Sequence, residues 1–285
     1  MTNSLIKNPL FWVVLISIGT LMGCGDTSTA TATDAAEKTA AAVEKAAKPT
    51  SKSMQLIKEM ESVNGGWNAI LALKDVQYDY RYDDKAKGLD LSTEKYIFAD
   101  ETSMATYSEH NVNVMPGAGG VVTQLLADGK PSIKKDGVVV TDPAAVGGTG
   151  FLRHANFYWF TMMYKLSDPN CIHEYMGQEE VNGINYDKVK TTYKGTGKDA
   201  DDGYICYFNP KTHLVDQFYF SLPAFGINDI VVRMELEYQK IDGVYIATHR
   251  KGFFPDGKGG HVLGGEYTSS NIKFNNGFTR KDLEI

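Results

Sequence analysis

Tyr238-Gln239-Lys240-Ile241-Asp242-Gly243-Val244-Tyr245-Ile246-Ala247-Thr248 reads as a strand, a two-residue turn and a second strand. Asp-Gly tolerates the positive φ that a tight hairpin turn demands. The pattern recurs at Asn182-Gly183, between candidate strands 171–179 and 184–193. Tyr78, Tyr80 and Tyr82 alternate with Asp79, Arg81 and Asp83, the period of a half-buried strand. Further strands are expected at 91–99, 103–109, 111–115, 121–127, 131–135 and 137–141, then at 203–209, 212–221, 229–240, 244–254 and 262–275. Short strands punctuated by Gly, Asp and Asn predict an antiparallel barrel or a strongly curved sheet.

Helices interrupt this pattern. Ser53 is the expected N-cap of a helix over 54–63, closed by Asn64-Gly65-Gly66, and a short helix follows over 67–73. Midway along the chain, Phe151 to Leu166 is apolar on nearly every side. Such a helix must be buried on more than one side, and sixteen residues are too few to cross a bilayer. It is expected to pack into or across the mouth of the sheet.

The N-terminus carries a different message. Leu10 to Met22 is almost free of polar side chains and closes on Leu21-Met22-Gly23-Cys24. That length suits the apolar region of a secretory signal and falls short of the roughly 20 residues of a membrane span. The tetrapeptide resembles the lipobox of bacterial lipoproteins. The resemblance implies cleavage after residue 23 and acylation of Cys24, so that acyl chains anchor the protein to the bilayer. Gly25 follows, and by that family's rule the absence of Asp there favours the outer membrane. Residues 24–52, rich in Ala, Thr and Lys, are expected to form a tether ended near Pro49. Residues 53–285 are expected to be one β-rich domain.

Beyond the turns, Glu179, Tyr186-Asp187-Lys188-Val189-Lys190 and Tyr207-Phe208-Asn209-Pro210-Lys211-Thr212-His213-Leu214-Val215 complete a recognisable set with 238–248. Their turn-and-strand signatures resemble the LolA/LolB-like superfamily of periplasmic carriers and lipoproteins, and more closely an uncharacterised family of lipoprotein domains within it. The likeness covers about residues 55–275. It implies a mainly β (α+β) fold: an unclosed antiparallel β-barrel with an N-terminal helix and an inserted apolar helix as lid or plug, wrapped around a cavity for acyl chains or lipoprotein anchors.

Chemistry-bearing motifs are sparse. The whole chain carries a net charge of −6, and loss of residues 1–23 removes Lys7 and no acid, so nucleic acid is not an expected partner. Histidines 110, 154, 173, 213, 249 and 261 lack the short spacings of many zinc sites, and no metal or cofactor is expected. Gly252 to Gly259 imitates a P-loop but lacks its Ser/Thr and its following helix. Asp199-Ala200-Asp201-Asp202-Gly203 misplaces the glycine of a calcium loop and reads as an acidic hairpin tip. Cys171 and Cys206 fall on strands with one strand between them, about 9.5 Å apart, too far for a disulfide.

Aromatic residues make up 11% of the chain and concentrate in the strands and the inserted helix. The expected function is that of a non-enzymatic, membrane-anchored envelope lipoprotein holding a hydrophobic ligand. Phe157, Trp159, Phe160, Met162 and Met163 are its candidate lining, because aromatic and methionine side chains adapt to acyl chains. The alternative is a structural or interaction lipoprotein with a filled core that binds protein or glycan through its loops.

Overall fold

A computed structural model describes residues 51–194, 203–223 and 226–283. The expected signal, Cys24, nearly all of the tether and the acidic stretch 199–202 lie outside the described residues. Two helices come first, α1 (Lys52–Asn64) and α2 (Gly66–Ala72). Six strands follow: β1 (Asp75–Asp84), β2 (Gly88–Ile97), β3 (Thr102–His110), β4 (Val122–Ala127), β5 (Lys130–Lys135) and β6 (Val138–Val139). The long helix α3 (Pro143–Lys165) then leads to β7 (Cys171–Val181), β8 (Ile184–Tyr193), β9 (Tyr204–Phe208), β10 (Val215–Leu222), β11 (Ile227–Ile241), β12 (Val244–Pro255) and β13 (His261–Phe274).

All thirteen strands form one antiparallel sheet in the order β6-β5-β4-β3-β2-β1-β13-β12-β11-β10-β9-β8-β7. The chain meanders outward from β1 to β6, crosses by α3 to the opposite edge at β7, and meanders back until β13 pairs with β1. Edge strands β6 and β7 do not pair with each other, so the barrel is unclosed, and α3 is the segment that joins them. Local chemistry fixes the meander. Asn182 and Gly183, like Asp242 and Gly243, have positive φ, the conformation that two-residue hairpin turns require.

Three expectations need correction. Residues 111–115 are a loop, because the Asp90 carboxylate accepts from the backbone N–H groups of Val112 and Asn113 at 2.8 and 3.1 Å. His110 holds the same loop, one ring nitrogen 2.8 Å from the Val114 carbonyl and the other 3.1 Å from that of Gly120. Ser51, not Ser53, caps α1, accepting from the Met54 N–H at 3.3 Å, while buried Ser53 donates to the His173 carbonyl. The inserted helix starts eight residues before Phe151: Asp142 caps it by accepting from the Ala145 N–H at 2.9 Å, with Pro143 in its first turn. Gly150 then passes close to Pro131, whose side chain a Cβ would meet at 3.4 Å.

Helix α3 is the centre of the core. Its C-terminal half joins Leu56, Ile57 and Met60 of α1 and Phe208, Phe218, Met234 and Leu236 of the strands in one cluster. Phe157, Phe160 and Tyr164 belong to a second cluster with Tyr78, Tyr96 and Phe98. Cys171 and Cys206 are free thiols on β7 and β9, with β8 between them. Among the described residues no helix is long and apolar enough to cross a membrane.

Candidate functional site: a slot beneath the inserted helix

The flank of α3 over Trp159–Tyr164 faces Phe218 of β10, Leu236 of β11 and Tyr245, Ala247 and Arg250 of β12 across a narrow apolar slot. Its free volume is about 10 Å³, room for roughly one water. Four of the five expected lining residues meet there: Trp159, Phe160, Met162 and Met163. Phe157 does not. It is buried against Tyr96 at a centroid distance of 5.2 Å, in the second core cluster. Trp159 stacks on Phe218 at 5.5 Å and meets Phe220 edge-on at 5.2 Å, whereas Phe160 stacks on Tyr78 at 4.8 Å.

The N-terminal half of α3 is held differently. Arg153 is fully buried and donates through both terminal nitrogens to Glu94, itself fully buried. It also donates to the Tyr107 hydroxyl at 2.5 Å and through Nε to Gln124 Oε1 at 3.2 Å. Gln124 donates to Thr149 Oγ1, one helical turn away on α3, at 3.0 Å. Ser92 and Tyr96 complete the set by donating to Glu94 at 2.8 and 3.0 Å. Burial works against the Arg153 charge, but Glu94 and the neighbouring phenols outweigh it and hold its pKa above the ordinary guanidinium range. This network ties α3 to β2, β3 and β4.

Arg250 is the slot's polar exception. It is 6% exposed and lines the apolar slot. Its hydrogen bond goes to a neutral group, the Tyr80 hydroxyl at 3.3 Å, and its guanidinium lies 5.9 and 5.2 Å from the Tyr80 and Tyr267 ring centroids. Among the described residues it forms no ion pair with a carboxylate. Burial raises the pKa of Tyr80 and Tyr267, with Arg250 opposing that rise, so both phenols stay protonated at neutral pH.

A register shift puts Arg250 there. Leu236 lies opposite Arg250 and Tyr238 opposite Ala247, so β12 carries one extra residue beside β11. Leu236 and Tyr238 share a face of β11, so Ala247 and Arg250 share one on β12 although three residues apart. Burial alternates along β12 with Ile246, Thr248 and Arg250 all buried, so the strand's period marks Arg250 as buried but does not say that it borders a slot with α3.

A second cleft, about 150 Å³, lies beside α1 and is bordered by Lys52, Glu59, Asp187 and His213. Lys52 pairs with Asp187 at 3.4 Å, and a ring nitrogen of His213 lies 3.2 Å from the Glu59 carboxylate. Among the described residues, no three His, Cys, Asp or Glu side chains are placed to hold a metal ion.

The architecture has known counterparts. A DUF1329 family protein from Desulfovibrio piger superposes with a TM-score of 0.52 at 15% identity, over 81% of this chain and 95% of that one. A LolA superfamily protein from Nitrosomonas europaea gives 0.49 at 9% identity, over 83% and 99%. The fold is shared with that of the DUF1329 family protein. By sequence, residues 151–267 match a family of unknown function, DUF6503, which spans most of α3 and the strands from β7 into β13. No protein of curated function matches the sequence.

Proposed function

We propose that this chain is a non-enzymatic lipoprotein of the bacterial envelope, anchored through acylated Cys24, most simply at the outer membrane. Its half-barrel takes up a hydrophobic ligand (an acyl chain, a lipid or a lipoprotein anchor) in the slot beneath α3. One observation carries this reading: the apolar flank of α3 meets an apolar strand surface around residual free space, and Trp159, Phe160, Met162 and Met163 border it. Methionines re-pack readily, so a slot of this composition can widen at low cost. In this view the structure is the closed form, and an entering chain displaces the C-terminal half of α3 while the Arg153 network holds the N-terminal half.

The small free volume favours a second reading, in which the core is filled and the protein acts as an interaction module through its loops. Native mass spectrometry of the full chain, extracted from a Gram-negative envelope, separates the two. An acyl lipid bound near one per chain, beyond those on Cys24, and lost in Trp159→Ala supports uptake. A clean mass that does not shift on adding fatty acids or lipopeptides makes the filled core the correct reading.

A further inference from the structure

A guanidinium nine-tenths buried without a carboxylate is costly, because the hydration it loses is not replaced by a counter-charge. Two tyrosine rings and one neutral hydroxyl offset part of that cost around Arg250. The residue nevertheless borders a slot whose other lining is almost wholly apolar. A planar fork of donors in that position matches a carboxylate or phosphate, which it binds in a bidentate manner.

The order of strands adds direction. Trp159 stacks on Phe218 at the β10 side of the slot, and Arg250 stands at the β12 side, two strands and about 9.5 Å away. Apolar surface occupies one end and an uncompensated cation the other. We propose that Arg250 is the headgroup anchor of the slot, selecting a single-chain amphiphile with an anionic head, carboxylate or phosphate, whose tail lies between α3 and β10–β11. Among the lining residues α3 is the one helix, so a single chain demands the smallest displacement. The inference rests on the slot being the ligand site.

The test is equilibrium binding of radiolabelled hexadecanoate, 1-palmitoyl lysophosphatidate and hexadecanol to the full chain held in amphipol. The tail is constant, so the comparison isolates the head. At least one anionic probe should bind about tenfold or more tightly than the alcohol, the order expected of a hydrogen bond to a charged group. Which anionic probe shows the preference identifies the head as carboxylate or phosphate. Arg250→Gln should bring the anionic probes to the level of the alcohol measured in the same variant, and Arg250→Lys should keep part of the preference. If wild type binds all three alike, and Trp159→Ala weakens all three, the headgroup role is wrong and the slot is right. If none of the three binds, the slot reading falls and the inference with it. Should Arg250→Gln fail to fold, wild-type binding of the preferred anionic probe against its fully methyl-esterified, uncharged form decides: equal affinities overturn the role.

Discussion

Arg153 and Arg250 are both buried guanidiniums packed near α3, and they differ in what surrounds the charge. Arg153 meets a fully buried carboxylate, a phenol and an amide, so each face of its fork is answered. Arg250 meets rings and one neutral hydroxyl. A charge satisfied from within holds elements together. A charge left unanswered beside an apolar slot costs stability, and such local costs gather at functional sites. The two halves of α3 are therefore held differently, the N-terminal half by paired charge and the C-terminal half by apolar packing.

Breaking the satisfied arginine should have the largest effect. Glu94→Gln leaves Arg153 buried without a counter-charge, and removing one partner of such a pair costs about 3–5 kcal/mol. Chemical denaturation of wild type and variant reads this directly. The double variant Glu94→Leu/Arg153→Met should recover much of the loss, because no buried charge remains. If the single variant loses less than about 1 kcal/mol, the network is not what fastens α3.

The opposite sign is expected at the other arginine. Arg250→Met removes an unanswered charge and keeps an unbranched apolar stem in the slot. Stability should stay level or rise, by up to about 2 kcal/mol, while the preference for anionic amphiphiles disappears. A loss as large as that of Glu94→Gln would make Arg250 a structural residue like Arg153 and erase the contrast.

The same contrast explains what could be read from the sequence. The sheet was legible because turn chemistry and period-two alternation are local: Asn182-Gly183 and Asp242-Gly243 make the hairpins they announce. The inserted helix was legible in its apolar half, but not in its start, since Gly147, Gly148 and Gly150 disguise a segment that Asp142 and Pro143 initiate. Loop 111–115 resembled a strand because the Asp90 that breaks it lies 22 residues upstream of Val112. Trp159, Phe160, Met162 and Met163 could be named together, being neighbours on one helix. The two arginines could not be interpreted at all. Glu94 and Arg153 are 59 positions apart, and the slot brings Arg250 together with residues of α3 and β10 that are distant in sequence.

The smallest effect concerns the phenols that accept from each arginine. Burial raises the pKa of Tyr107, with the Arg153 charge opposing, and it raises that of Tyr80, with the Arg250 charge opposing. A tyrosine whose folded pKa lies above its unfolded value near 10 contributes stability that is complete below pH ~10 and is lost as pH rises further. Alkaline destabilisation should therefore set in above pH ~10, and absorbance at the tyrosinate wavelength should show the buried phenols ionising together with unfolding. Tyr80→Phe removes one of these groups at the cost of a single 3.3 Å contact from Arg250, so its stability at neutral pH should fall little and its loss between pH ~7 and ~10.5 should be smaller than wild type's. Tyr107→Phe should blunt the alkaline loss in the same way but lower neutral stability more, because it withdraws an acceptor from the network that fastens α3. Equal costs at neutral pH for the two variants would mean that the Arg250 environment is as tightly knit as that of Arg153, and the division of labour along the helix would not hold.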